Sequence, residues 1–157
     1  MNPSLRTILA GLAGGLAFVL GTFMTFRLLG GAQEGRQGLL FDPETQSAKV
    51  IAVWKEIEPL PRITETPLLI LGGLLLLGIA YAVLYRALSP GWPAGTHRRA
   101  VRMALVIWLG GVFAELMGPF NVLHSPLALS ALSVLFWAVC AVLEGYAIVL
   151  VSGQGAS

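Results

Sequence analysis

The sequence predicts an all-α integral membrane protein, a four-transmembrane-helix bundle with both termini in the cytoplasm. Hydrophobic residues make up 56 % of its 157 residues and charged residues only 11 %, against about 25 % in soluble domains. Four stretches are long and apolar enough to cross a bilayer. Outside these stretches, one side carries basic residues and no acidic ones, whereas the other carries more acidic than basic residues. Together these observations exclude an ordinary soluble domain.

The four apolar stretches form one membrane domain, residues 1–157. A helix of roughly 20 mostly apolar residues crosses a hydrocarbon core about 30 Å thick, and helices satisfy their own backbone hydrogen bonds there. The predicted spans are residues 7–29, 66–86, 101–123 and 126–151. A cleaved signal peptide is the alternative for the first span, because Gly30, Gly31 and Ala32 offer a cleavage site. Its apolar run is longer than that of most signal peptides.

The orientation follows from the basic residues that flank the spans. One side carries the arginines Arg6, Arg86, Arg98, Arg99 and Arg102. The other side carries the loop 31–65, where Arg36, Lys49, Lys55 and Arg62 are outnumbered by Glu34, Asp42, Glu44, Glu56, Glu58 and Glu65. Both termini are therefore expected on the arginine-rich, cytoplasmic side, and the loop 31–65 on the outer side.

A short amphipathic helix is predicted over residues 43–58 of this outer loop. Asp42 and Pro43 form a typical helix start, with an N-cap followed by proline in the first turn. Apolar residues then recur at helical spacing at Val50, Val53, Trp54 and Ile57, and Pro59 and Pro61 end the helix. Three placements stay open: flat on the membrane with Trp54 at the headgroups, a cap over the outer mouth of the bundle, or a lid over a substrate site.

Two loops carry short motifs that resemble those of small, uncharacterised four-span membrane proteins of bacteria. The motifs are Gln46-Ser47 with Lys49, Ile51-Ala52-Val53-Trp54, Glu58-Pro59-Leu60-Pro61, Tyr85-Arg86, and Gly91-Trp92-Pro93 with Gly95 and Arg98. The resemblance covers the loops better than the spans. It implies a four-helix fold in the inner membrane and a multi-pass topology, and it brings no activity or site residue.

Glu115 interrupts the third span, and an ionisable group in a span usually faces the bundle interior. Arg27 ends the first span on the same side, so a Glu115–Arg27 ion pair is expected to offset the burial of both charges. The alternative is a proton or cation site formed by Glu115, Asn121 and His124.

Glu144 interrupts the fourth span and lies toward the cytoplasmic side. It belongs to a polar stripe on one helix face, with Ser130, Ser133, Trp137 and Cys140. The hydroxyl group of Tyr81 or Tyr85 on the second span is expected to hydrogen-bond to it. Glu115 and Glu144 differ in depth by about 10–15 Å, from the helical rise. They therefore form no catalytic carboxylate pair, although a proton relay between them stays open.

Small residues predict where the helices pack closely. The predicted packing positions are Gly11, Gly15, Gly111, Gly118, Ala141 and Gly145. Gly11 and Gly15 serve either the bundle or a second copy of the chain.

The remaining chemistry is sparse. The single cysteine, Cys140, excludes an intrachain disulfide, and no nucleotide-binding, hydrolase or zinc-protease motif occurs. No cofactor, metal ion or nucleic acid is expected, and an enzyme is the least favoured class.

The predicted function is that of a structural or accessory subunit or oligomerising scaffold. Its partners would be the lipid bilayer and a homo-oligomer or larger membrane complex. The alternative is a small dimeric proton- or ion-coupled transporter or channel that uses Glu115 and Glu144.

Overall fold

The computed structural model describes residues 2–32 and 38–153. Glu34 and Arg36, which enter the charge balance of the long loop, lie outside the described residues. So do Met1 and residues 154–157 of the predicted domain. The described residues form helices, turns and irregular segments, with no strand among them.

Four of the helices are long and apolar enough to cross a membrane, which is compatible with the predicted multi-pass membrane protein. The helices are α1 (Pro3–Thr22, continued as a π-helix over Phe23–Leu29), α2 (Ala48–Lys55), α3 (Arg62–Glu65), α4 (Pro67–Leu88, followed by a 3-10 turn over Ser89–Gly91), α5 (Thr96–Glu115, continued as a π-helix over Leu116–Phe120) and α6 (Leu127–Gly153). The long helices are α1, α4, α5 and α6.

Several helices extend beyond the predicted spans, because an apolar run marks only the part suited to hydrocarbon. α1 begins at Pro3, where the Asn2 side chain accepts a hydrogen bond of 2.9 Å from the Ser4 N–H. α5 begins at Thr96 and α6 continues to Gly153. We call the end of the bundle with Pro3, Leu88 and Thr96 the terminal end, and the opposite end the long-loop end.

The helices α1 and α6 form the central pair of the bundle. α4 packs on α1, α5 packs on α6, and α4 and α6 make a smaller contact. Gly11 of α1 faces Ile79 of α4, and Gly15 faces Leu75, so these two helices run antiparallel. The bundle therefore has two well-enclosed helices and two flanking helices, α4 and α5.

Glycines let α1 and α4 approach with their backbones in contact. A Cβ atom on Gly15 would lie 3.0 Å from the Cα atom of Leu75, and one on Gly78 would lie 2.6 Å from the Gly15 nitrogen. Gly11 faces the backbone of Ile79 in the same interface. Both Gly11 and Gly15 therefore pack within the bundle, the first of the two uses that the sequence left open.

Of the other predicted packing positions, three lie at helix contacts within the bundle and Gly118 does not. A Cβ atom on Gly145 would lie 2.8 Å from the Ala104 nitrogen, and one on Gly111 would lie 2.9 Å from Trp137 Cβ, so both serve the α5–α6 interface. Ala141 is buried in the core. A Cβ atom on Gly118 would meet no described atom within 4 Å outside its own helix backbone, so no other helix packs on it there. It lies in the π-helical continuation of α5, whose wider turn removes it from the face of Gly111 and Glu115.

The helix in the long loop is shorter than predicted and begins at Ala48 instead of residue 43. The Asp42 side chain accepts the Glu44 N–H at 3.0 Å, and the Asp42 carbonyl accepts the Gln46 N–H at 2.9 Å. Asp42 therefore makes both hydrogen bonds of an N-cap, but the turn that it starts ends after Gln46, because Ser47 has extended backbone angles (φ −59°, ψ 131°). Ser47 follows as the residue before α2.

The segment 38–55 packs against the long-loop end of the bundle. Val50, Leu40 and Phe41 form a buried cluster with Phe136 of α6. The Ser47 hydroxyl donates a hydrogen bond of 2.8 Å to the Leu123 carbonyl. These contacts favour the cap placement of the loop helix. The position of Trp54 at headgroup level stays a prediction.

Candidate functional site

The polar stripe of α6 faces the bundle interior along its whole length. Ser130, Ser133, Cys140 and Glu144 are buried, and Trp137 is partly buried. The spacing of three and four residues keeps all five side chains on one helix face. From Ser130 to Glu144 this polar face extends about 21 Å along the helix axis, most of a membrane thickness.

Glu115 of α5 meets this polar face near its long-loop end. Its side chain is 4 % exposed, and the Ser130 hydroxyl is its polar neighbour. Even so, neither Glu115 Oε1 nor Ser130 Oγ makes a hydrogen bond with any described residue. Gly111, one turn earlier on α5, lies against Trp137 and lets the two helices come close at this level. The structure thus places a buried carboxyl group between α5 and α6, and its Oε1 atom has no hydrogen-bond partner among the described residues.

The expected Glu115–Arg27 ion pair is not formed. Arg27 is exposed, and its guanidinium lies over the Phe23 ring at 5.8 Å. Arg27 belongs to the π-helical part of α1, whose wider turn changes the direction of side chains relative to an α-helix. At a helix end a guanidinium can also reach the membrane surface, which is less costly than burial.

Asn121 and His124 do not join Glu115. Both side chains are exposed, whereas Glu115 is buried, and no hydrogen bond connects any two of the three within the described part of the chain. His124 has φ of 54°, in a turn that leads from α5 to α6. The alternative proton or cation site of these three residues is therefore not assembled in the described structure.

Glu144 lies in the terminal half of α6, 1 % exposed. It fits against Gly14 of α1, where an added Cβ atom would come within 3.3 Å of Glu144 Cγ. Glu144 Oε2 makes no hydrogen bond with the described residues. Of the expected partners, the hydroxyl of Tyr81 lies within electrostatic range of the carboxyl group but does not hydrogen-bond to it.

The two tyrosines contact other groups instead. The Tyr81 hydroxyl lies against Gly110 of α5, 3.1 Å from where a Cβ atom would be. The Tyr85 ring packs on Trp92, with ring centroids 5.8 Å apart. Contacts with α5 and with Trp92 therefore position the two side chains, and the spacing of residues within α4 does not predict these contacts.

An aromatic layer separates the two acids. Trp137 packs between Phe26 and Phe18 of α1, with ring centroids 4.6 Å and 5.8 Å away. Next to this layer, the Thr25 hydroxyl donates a hydrogen bond of 2.8 Å to the Gly21 carbonyl. The same hydroxyl contacts the Cys140 sulfur at 3.7 Å. The polar face is thus not one connected hydrogen-bonded chain in this conformation.

The buried side-chain nitrogen and oxygen atoms without a hydrogen-bond partner all belong to this site, as far as the chain is described. They are Glu115 Oε1, Ser130 Oγ, Trp137 Nε1 and Glu144 Oε2. Each such atom costs about 1–3 kcal/mol of folding free energy. Sequence reasoning identified the α6 stripe, but not that its groups would lack partners.

A metal site is not supported, since no three His, Cys, Asp or Glu side chains of the described residues come together. Comparison of the chain with protein-family models, curated proteins and solved structures gives no match. Function therefore has to be inferred from the residues themselves.

Proposed function

We propose that the protein is a structural or accessory subunit of the inner membrane that holds other transmembrane helices against its helix α4. These helices belong to partner proteins or to further copies of the chain, and both termini face the cytoplasm. The observation that supports this proposal is the open face of α4 near the long-loop end. Leu68, Leu69 and Leu76 are exposed there, Leu68 to 81 %.

Two glycines distinguish this face from one that meets only lipid. Gly72 and Gly73 are exposed, and an added Cβ atom at either would meet no described atom within 4 Å. A glycine inside a helix is about 0.5–1 kcal/mol less favourable than alanine. No contact within the described chain offsets this cost. Close approach of another helix would do so, since small residues let transmembrane backbones pack closely.

The test introduces a large side chain on this face. Gly72→Leu should displace a helix packed there while leaving the chain itself stable. Ala131→Leu is the matched control, because Ala131 is also exposed and lies on α6. Each variant is isolated in native nanodiscs, and co-purifying proteins and copy number are quantified by mass spectrometry. Loss of partner or self-association in G72L alone supports the proposal. Isolation of the wild-type chain as a lone monomer, or equal association in both variants, contradicts it.

A second candidate is a dimeric, proton-coupled transporter or channel, and the polar face of α6 favours it. Buried carboxyl groups can bind and release protons, and intramembrane acids commonly mark such pathways. Glu115 and Glu144 lie on either side of the aromatic layer around Trp137, so conduction requires that this layer opens. Proteoliposomes with a pH-sensitive dye inside test the idea. Proton flux that E144Q abolishes supports it, and an absence of flux from the wild-type protein removes it.

A further inference from the structure

A shallow groove lies at the terminal end of the bundle, on the first two turns of α5. It has a volume of about 290 Å³ and is lined by Pro93, His97, Arg98, Val101 and Arg102. Arg98 and Arg102 are exposed. Because they are four residues apart, their guanidinium groups lie on the same side of the helix.

The two arginines of the groove differ from the other arginines at this end. Arg6 Nε donates to the Val151 carbonyl at 3.2 Å, Arg86 Nη1 to Thr7 Oγ1 at 3.4 Å, and Arg99 Nε to the Pro93 carbonyl at 3.3 Å. Arg98 and Arg102 make no hydrogen bond or ion pair within the described part of the chain. Their donors are therefore available to an outside ligand.

The charge of the surroundings favours an anion. No Asp or Glu lines the groove, and Glu144, the acid of α6, is buried against Gly14 of α1. His97 on its rim contacts the Tyr146 hydroxyl through Nδ1, which fixes the imidazole against α6. Two guanidinium groups at this spacing suit a phosphate, whose oxygens accept paired N–H donors.

A strip of exposed apolar side chains on α5 continues from the groove toward the bilayer centre. Val101, Leu105 and Leu109 are exposed. Together with Arg98 and Arg102 they fall within an arc of about 100° around α5, at 100° per residue. A ligand that binds the guanidinium groups therefore has an apolar helix surface directly beneath it.

We infer that the groove of Arg98, Arg102 and His97 binds the phosphate of an anionic phospholipid, with an acyl chain lying along Val101, Leu105 and Leu109. A phosphate at the membrane surface with hydrocarbon below it matches the order of these groups along α5. The groove is independent of the open face of α4, because it lies on another helix and at the opposite end of the bundle.

The test compares two double variants with the same change in charge. R98Q/R102Q removes the two unpaired guanidinium groups. R6Q/R86Q removes two that bond within the chain to residues outside the groove. Native mass spectrometry of delipidated protein in mild detergent then measures one-to-one binding of phosphatidylglycerol and of phosphatidylcholine. The wild type should prefer phosphatidylglycerol, and R98Q/R102Q should bind it about 30-fold more weakly, from the usual effect of two basic residues near an anionic surface.

The control and competitor distinguish a specific lipid site from other sources of binding. R6Q/R86Q should stay within about threefold of the wild type, since its lost charges are only nearby. Equal weakening in the two double variants would show a diffuse charge effect and overturn the proposal. Equal binding of the two lipids would overturn it as well, and so would displacement of phosphatidylglycerol by millimolar inorganic phosphate, which would indicate a soluble anion as ligand. R98K/R102K guards against misfolding, because it keeps the charge and should keep the lipid preference.

Discussion

The substitution Gly78→Ala tests the backbone contact between α1 and α4. The new methyl group would lie 2.6 Å from the Gly15 nitrogen and 2.8 Å from its Cα atom, and it also faces the Gly11 carbonyl. These are backbone atoms, so relief requires that the helices separate. Overpacking of this kind usually destabilises by about 1–3 kcal/mol, occasionally more. We expect a loss at the upper end of this range, because no flexible side chain can move aside.

Gly73→Ala is the matched control on the same helix. Its methyl group would meet no described atom within 4 Å, so only helix propensity changes, and stability should rise by about 0.5–1 kcal/mol. Reversible unfolding by SDS in mixed micelles, followed by circular dichroism, measures both free energies of unfolding. The two free energies of unfolding should shift in opposite directions, downward for G78A and upward for G73A. If G78A is as stable as G73A, α1 and α4 do not meet at these glycines.

Three further predictions use the same unfolding assay or a local one. Glu144→Met should stabilise the isolated chain by about 1–3 kcal/mol, because an apolar side chain then replaces a buried carboxyl group whose Oε2 lacks a hydrogen-bond partner. A loss of stability would show that Glu144 has a partner in the folded chain. Arg27→Ala should cost no more than about 1 kcal/mol, the value of an exposed contact between a cation and a ring, whereas a loss of about 3–5 kcal/mol would indicate a buried ion pair. Ser47→Ala should weaken the packing of segment 38–55 by about 1 kcal/mol through loss of the bond to Leu123, seen as faster hydrogen exchange over Ala48–Lys55; unchanged exchange there would contradict the cap placement.

The four spans could be predicted because bilayer thickness and hydropathy fix them without any knowledge of packing. The inward face of α6 could be predicted for a similar reason, since helical periodicity alone places Ser130, Ser133 and Glu144 on one side. Both predictions depend on geometry within a single helix, which the order of residues determines directly.

The partners of the buried groups could not be predicted, because they depend on how helices meet. Arg27 turns away from Glu115 within a π-helical segment, and the sequence around Phe23–Leu29 contains no proline that would signal this change. Asp42 caps a first turn as its residue type predicts, but the extended backbone of Ser47 ends that turn, and α2 begins separately at Ala48. Tyr81 has the depth expected of a Glu144 partner, yet Gly110 on α5 leaves room for its hydroxyl.

The position of Glu144 separates the two proposed functions. Helix α1 covers it at Gly14, and its side chain is 1 % exposed, so no side chain of a partner protein can reach it unless the bundle opens. A proton is small enough to neutralise it where it lies, and a neutral acid is far less costly to bury than a carboxylate. Association through Gly72 and proton binding at Glu144 therefore involve different helices and different ligands. E144Q should abolish proton flux and leave association unaltered, whereas G72L should weaken association. Loss of flux together with association in G72L would mean that the dimeric pathway forms with α4 at the interface, and flux that persists in a monomeric G72L would mean that it does not.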